Sequence, residues 1–108
     1  MLRGFFVSGR GDFMFNNQRY VTRCITSTVP LVTQIILWDC IDSMKVERKD
    51  YLQVFKLVVN GTNQQVTHSQ EEPDYERTFT FPTDEPITAK IFVIDDETHS
   101  TMLLAEEY

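Results

Sequence analysis

The residues in this chain best equipped for chemistry are two histidines, His68 and His99, and the carboxylates Asp95, Asp96 and Glu97 close to the second. An imidazole with neighbouring carboxylates can ligate zinc or manganese, so His99 with Asp95 or Asp96 is the arrangement a metal-assisted hydrolase would need. No HxxxH or CxxC pattern sets ligands on one face, and DDETHS is equally an ordinary hairpin loop. A thiol nucleophile is weaker still, because Cys40 lies on the greasiest stripe of a predicted helix, where burial raises a thiol's pKa and leaves it inert. Three of the four glycines fall within the first eleven residues and Gly61 belongs to a predicted hairpin, so no glycine-rich loop cradles a phosphate. The pattern assigns no catalytic residue, metal or cofactor, and a binding role is expected ahead of catalysis.

The acidic side chains matter more for binding. Glu71, Glu72 and Asp74 form one cluster, Asp95, Asp96 and Glu97 a second, and Glu106 and Glu107 a third, all at predicted loops or ends. Ten basic residues against sixteen acidic give a net charge of -6. That balance argues against nucleic acid as a partner, since affinity for a phosphate backbone comes from Lys and Arg displacing counterions. A converging acidic face could instead imitate such a backbone and occupy the groove of a nucleic-acid or defence enzyme, with opposite charge speeding the encounter. Loop carboxylates that only keep a small protein soluble give the same pattern.

The element that must organise these loops is VPLVTQIILWDCIDSMK, residues 29–45, in which ten of seventeen residues are large and apolar or Cys. Thr28 can cap its first turn and Pro30 falls where a missing N–H is harmless. At 100° per residue, Leu37, Cys40, Ile41 and Met44 form a core stripe, and Leu31, Ile35 and Trp38 form a second stripe beside it. So wide an apolar arc predicts burial on two sides. A partner protein, a second copy of the chain, or the chain's own Phe-rich N-terminus are the segments expected to cover Leu31, Ile35 and Trp38.

Around the helix the chain alternates as strands. Residues 19–26 are rich in β-branched and aromatic types, Tyr51 to Val59 is apolar on both faces, and Asn60-Gly61 marks a tight hairpin. Residues 64–70 hold one apolar member, Val66, and suggest an edge strand. Tyr75 to Phe81 alternates cleanly, Ile87 to Asp95 is again two-faced, and Thr101 to Leu104 is a short final strand. About six strands with one main helix and short links predict an α+β fold with a mainly antiparallel sheet. One helix covers one face, so the other face is expected to meet the tail, a partner or another copy.

Residues 1–15 are expected to be a flexible N-terminal extension ahead of a single α+β domain at 16–108, and Arg10-Gly11-Asp12 within them spells an adhesion tripeptide. No apolar run approaches a membrane span, and no secretory signal opens the chain. With Cys24 and Cys40 suited to buried free thiols, a cytoplasmic protein is expected, though a bridge between them stays open.

Several stretches, NNQRYVTRCI at 16–25, VPLVTQIILWDCID at 29–42, DYLQVFKL at 50–57, THSQEEPDY at 67–75 and PITAKIFVIDDETHSTMLLAEEY at 86–108, resemble the domain of unknown function 960 family. The resemblance spans nearly the whole chain after Asn16. It implies a cytosolic protein of a Gram-positive bacterium or its phage and brings no activity, cofactor or catalytic residue with it.

Overall fold

The computed structural model describes residues 14–108. The extension up to Phe13, with its adhesion tripeptide, lies outside the described residues. The elements are β1 (Gln18–Val21), α1 (Arg23–Thr28), α2 (Leu31–Asp42), β2 (Leu52–Asn60), β3 (Asn63–Gln70), β4 (Tyr75–Pro82), β5 (Ala89–Asp95) and β6 (His99–Leu104), followed by one 3-10 turn at Ala105–Glu107. The strands form one sheet in the order β1-β6-β5-β2-β3-β4. Only β1 with β6 is parallel, so the fold is α+β with a mixed, mostly antiparallel sheet.

Register decides which residues meet the helix. Phe55 pairs with Ile91 and Leu57 with Ala89 across β2 and β5, and Val93 pairs with Met102 across β5 and β6. These side chains share the inner face with Val66 of β3, and Leu37 and Ile41 of α2 and Ile25 of α1 complete the buried core. As the period of its first stripe predicts, α2 buries Leu37, Cys40 and Ile41, and Met44 beyond its end is buried too.

Three local expectations are corrected. The strand expected over 19–26 stops at Val21, because the Thr22 hydroxyl accepts from the Ile25 amide at 3.2 Å and caps a helical turn that buries Ile25. α1 then takes up Thr28, so α2 starts about half a turn later than the sequence places its cap, with Pro30 at the N-cap position, and ends at Asp42 rather than Lys45. β3 is an interior strand, not an edge. It lies between β2 and β4, and its polar residues Gln64, His68 and Gln70 point inward and are buried. In the hairpin that precedes it, Asn60 stays in the ladder opposite Asn63, while Gly61, at φ +64°, takes the first of the two turn positions, where glycine is favoured.

Buried glutamines are stable only when every amide group is paired, and these are. Gln64 accepts from the Ile87 N–H at 2.8 Å and donates to the carbonyls of Ile87 and Val58 at 2.9 Å each, pinning the β4–β5 connection to the sheet. At the other end Gln70 Oε1 accepts from the Asp50 N–H and from Gln53 Nε2, while Gln70 Nε2 donates to the carbonyls of Arg48 and Pro73.

The buried carboxylate of Asp95 closes the same end. It accepts from the Phe15 N–H at 2.8 Å, from Asn17 Nδ2 at 3.1 Å and from the Glu97 N–H at 2.7 Å. Phe15 and Glu97 are the two non-glycine residues described with φ in the left-handed region, at +66° and +84°. Such backbone costs about 1 kcal/mol per residue, and here each strained residue donates to the same carboxylate. Phe15, at the end of the expected extension, is itself fully buried in the core. Asp95→Ala should therefore destabilise the fold by about 3 kcal/mol, and exposed Asp96→Ala by under about 1 kcal/mol, read from urea unfolding midpoints.

Candidate functional site

The outward face of α2 follows from its sequence. Leu31, Val32, Ile35, Asp39 and Asp42 share one side of the helix, opposite the buried Leu37 and Ile41. Leu31, Val32 and Ile35 are 68%, 66% and 57% exposed, and no described segment covers them. Trp38, the third member of the predicted second stripe, behaves differently. It is partly buried against the core, with the Arg19 guanidinium 4.7 Å from its ring centre. Arg19 also donates to both carboxylate oxygens of Asp42, at 2.5 and 3.1 Å, and to the Phe15 carbonyl at 2.9 Å. Arg19 and Trp38 thus lock the C-terminal half of α2 to β1, while the outward side of its first turn and a half stays bare.

The three acidic clusters picked out in the sequence do not join this face. The β3–β4 turn carrying Glu71, Glu72 and Asp74 and the β5–β6 turn carrying Asp96 and Glu97 both lie at the end of the sheet where β2 begins, as the Val54–Ser69 and Leu52–Ile94 pairings require. Val32, by contrast, borders a shallow depression with Thr62, Pro82, Thr83 and Asp84 at the opposite end. Glu106 and Glu107 follow Leu104, which pairs with Ile91, so they also sit at that opposite end. Glu107 accepts from the Thr22 hydroxyl and the Leu104 N–H, and these bonds hold its carboxyl below the usual range.

His99, Asp95 and Asp96 come together as a hairpin. Asp96 Oδ1 accepts from the amides of Thr98 and His99 and from the Thr98 hydroxyl, contacts that keep the Asp96 carboxyl low, and its Oδ2 lies 3.3 Å from His99 Nε2. Asp95 turns the other way, into the core contacts described above. Among the described residues no three His, Cys, Asp or Glu side chains gather as a metal-holding group. Cys24, expected to be buried in a strand, is exposed on α1, and its thiol is raised by hydrogen bonding to Glu107. Burial pushes the Cys40 thiol up to about 11. Both thiols are free.

Two features escaped sequence reasoning. One is His68, which stacks on Phe55 at 4.3 Å, meets the edge of Tyr75 at 5.3 Å and lies 2.7 Å from Gln53 Oε1 through its Nε2. Gln53 Nε2 already donates to Gln70 and to the Asp50 carbonyl, so its oxygen must accept, and His68 carries its proton on Nε2. The other is Lys56 of β2 directly opposite Lys90 of β5 on the sheet face away from α2. Period-2 alternation places each lysine outward, but their pairing requires the register.

The chain is thus a small α+β domain whose accessible side chains lie on an open helix face, an acidic end and an uncovered sheet face. It belongs to the family described as staphylococcal protein of unknown function (DUF960), whose model matches residues 18–107. A solved structure described as a protein of unknown function from Enterococcus faecalis shares the fold, with a TM-score of 0.74 and 25% identity, over 89% of this chain and 94% of that one. No curated protein matches the chain.

Burial pushes His68 down to about 4, helped by the nearby Arg77 charge, from an ordinary 6.5. The unfolded chain therefore binds this proton at a higher pH than the folded one. The contribution is complete above pH 6.5 and is lost as pH falls from 6.5 towards 4. Stability should drop by about 2 kcal/mol between pH 7 and pH 5 from this group, measured by urea unfolding at both values, and His68→Gln should flatten that limb.

Proposed function

We propose that this protein is a non-catalytic, cytoplasmic protein-binding module that docks its partner on the outward face of α2. The observation that carries this reading is the exposure of Leu31, Val32 and Ile35, three large apolar side chains side by side on a helix whose other face already fills the core. Covering each is worth about 1 to 2 kcal/mol at the fraction now bare. A flat face suits a helix or a second copy of this chain, crossing where no charge intervenes; Asp39 and Asp42 lie farther along. Free cysteines fit a reducing compartment, and among the described residues no helix is long and apolar enough to cross a membrane.

Ile35→Asp tests the reading because the side chain is mostly in water. Unfolding midpoints should move by less than about 0.5 kcal/mol, while self-association measured by light scattering, or retention of the native partner, should be lost. A large stability loss instead would mean that the chain itself covers this face.

A second reading, occupation of a nucleic-acid-binding groove by the acidic end, draws support from Glu71, Glu72 and Asp74 sharing one end of the sheet with Asp96 and Glu97. Reversing Glu71, Glu72 and Asp74 to Lys should then weaken partner capture most at low salt, whereas capture unchanged at low salt removes this reading.

A further inference from the structure

The face of the sheet opposite α2 has its own pattern. Register aligns Leu103, Phe92 and Val54 in one row across β6, β5 and β2, and Ile94 with Leu52 in the next. All five are partly exposed, and neither α1 nor α2 packs on them; the Tyr108 ring, following the 3-10 turn, meets the Phe92 ring edge-on at 5.6 Å and leaves the rest of both rows without a described cover. One row further along, on the side away from Ile94, Lys90 and Lys56 stand directly opposite each other, both exposed. Neither forms an ion pair among the described residues, although the chain carries six more acids than bases. Lys90 Nζ instead lies 5.7 Å from the Phe92 ring centre. Like charges directly opposite on a sheet are unfavourable, and among the described residues no carboxylate pairs with either lysine.

We infer that this face docks an acidic amphipathic helix of a partner protein. The dimensions agree. Three strands span about 10 Å, the width of one helix with its side chains, and β5, the middle one of β6, β5 and β2, lies centrally under such a helix. Successive outward rows are about 7 Å apart along the strands, so a helix seated on Phe92 and Val54 brings a carboxylate four or five residues further on to the lysine pair. Its apolar stripe would cover the five side chains and form a third layer, as helices do on both faces of other sheets. The lysines select the sign of the flanking charge. Nucleic acid, the other anionic occupant, offers no aliphatic stripe to match the two rows, and two lysines are few for an affinity that rests on counterion release from a phosphate backbone. The helix-face reading above stands or falls separately, since Ile35 is on the far side of the sheet.

The test uses the whole chain, labelled with nitrogen-15, titrated with three probes: a synthetic helical peptide with a Leu/Phe stripe flanked by Glu, the same peptide with Lys for each Glu, and a single-stranded oligonucleotide. Expected are amide shifts at Val54, Lys56, Lys90 and Phe92 with the acidic peptide alone, and affinity reduced at least about fivefold in Lys56→Gln/Lys90→Gln or at raised salt. Both lysines are exposed, so the double variant should keep its unfolding midpoint, which separates lost binding from lost structure. Equal binding of the basic peptide, shifts confined to α2, tighter binding of the oligonucleotide on this face, or no shift with the acidic peptide would each overturn the inference.

Discussion

The structure depends on one helix being asked to cover one face of six strands. α2 has twelve residues and is about 18 Å long, whereas β2, with nine, runs about 30 Å. A rod that short seals the middle of the inner face and leaves both ends open. The middle is accordingly apolar, with Phe55, Leu57, Val66, Ile91 and Val93 under Leu37 and Ile41. The ends are closed by paired polar groups: Gln64 with the Ile87 backbone at one, and Gln53 with Gln70 and with His68 Nε2 at the other, His68 Nδ1 alone keeping no partner among the described residues. A buried amide's hydrogen bond nets only about 1 kcal/mol, while the same amide with one partner missing costs about 1 to 3 kcal/mol. These ends therefore specify register and loop position more than they add stability.

Asp95 applies the same logic to the chain's own entry. A buried carboxylate is tolerable only with several donors, and its donors come from the segment entering β1 and from the turn leaving β5. β1, a four-residue parallel edge strand, has little ladder of its own. Its position is secured from both sides, by Asp95 through Phe15 and Asn17 and by Arg19 through Asp42 and Trp38. The carboxylate that looked available for metal chemistry in the sequence is thus engaged in holding two strained backbone residues. Spacing alone cannot separate the two uses, because both need an Asp next to a turn.

What was legible in the sequence followed from periodicity and turn chemistry. The core stripe of α2, the two central strands, the Gly61 hairpin and the wet face of β4 all rest on patterns that a single element imposes on itself. The errors arose where tertiary partners overrule a local pattern. RYVTRCIT has strand composition, yet one hydroxyl at Thr22 and one buried Ile25 suffice to wind its second half into a helix. QQVTHSQ looked like an edge because its inward residues are polar, and polarity is an edge signal only when the side chains lack buried partners. Besides Val58 and Gln53 of β2, the partners of Gln64 and Gln70 lie in the connections at residues 48–50, 73 and 87, which no pattern within β3 announces. The acidic clusters were visible as clusters, but their division between the two ends of the sheet follows from strand order.

The two uncovered surfaces differ in the sign of their flanking charge, and that difference constrains what each can meet. A twofold pairing of two sheet faces in close register would set Lys56 and Lys90 of one copy against the same residues of the other, adding a second repulsion to the one already present. Two α2 helices crossing at Val32 and Ile35 meet no such conflict, because Asp39 and Asp42 lie one to two turns beyond the crossing and an antiparallel arrangement carries them to opposite sides of it. Self-association would thus be compatible with the helix face and is opposed at the sheet face, where a carboxylate-bearing partner of a different chain would remove the repulsion instead. An internal carboxylate beside the two lysines would relieve their repulsion, but it would also occupy the place that the proposed partner's charge would take.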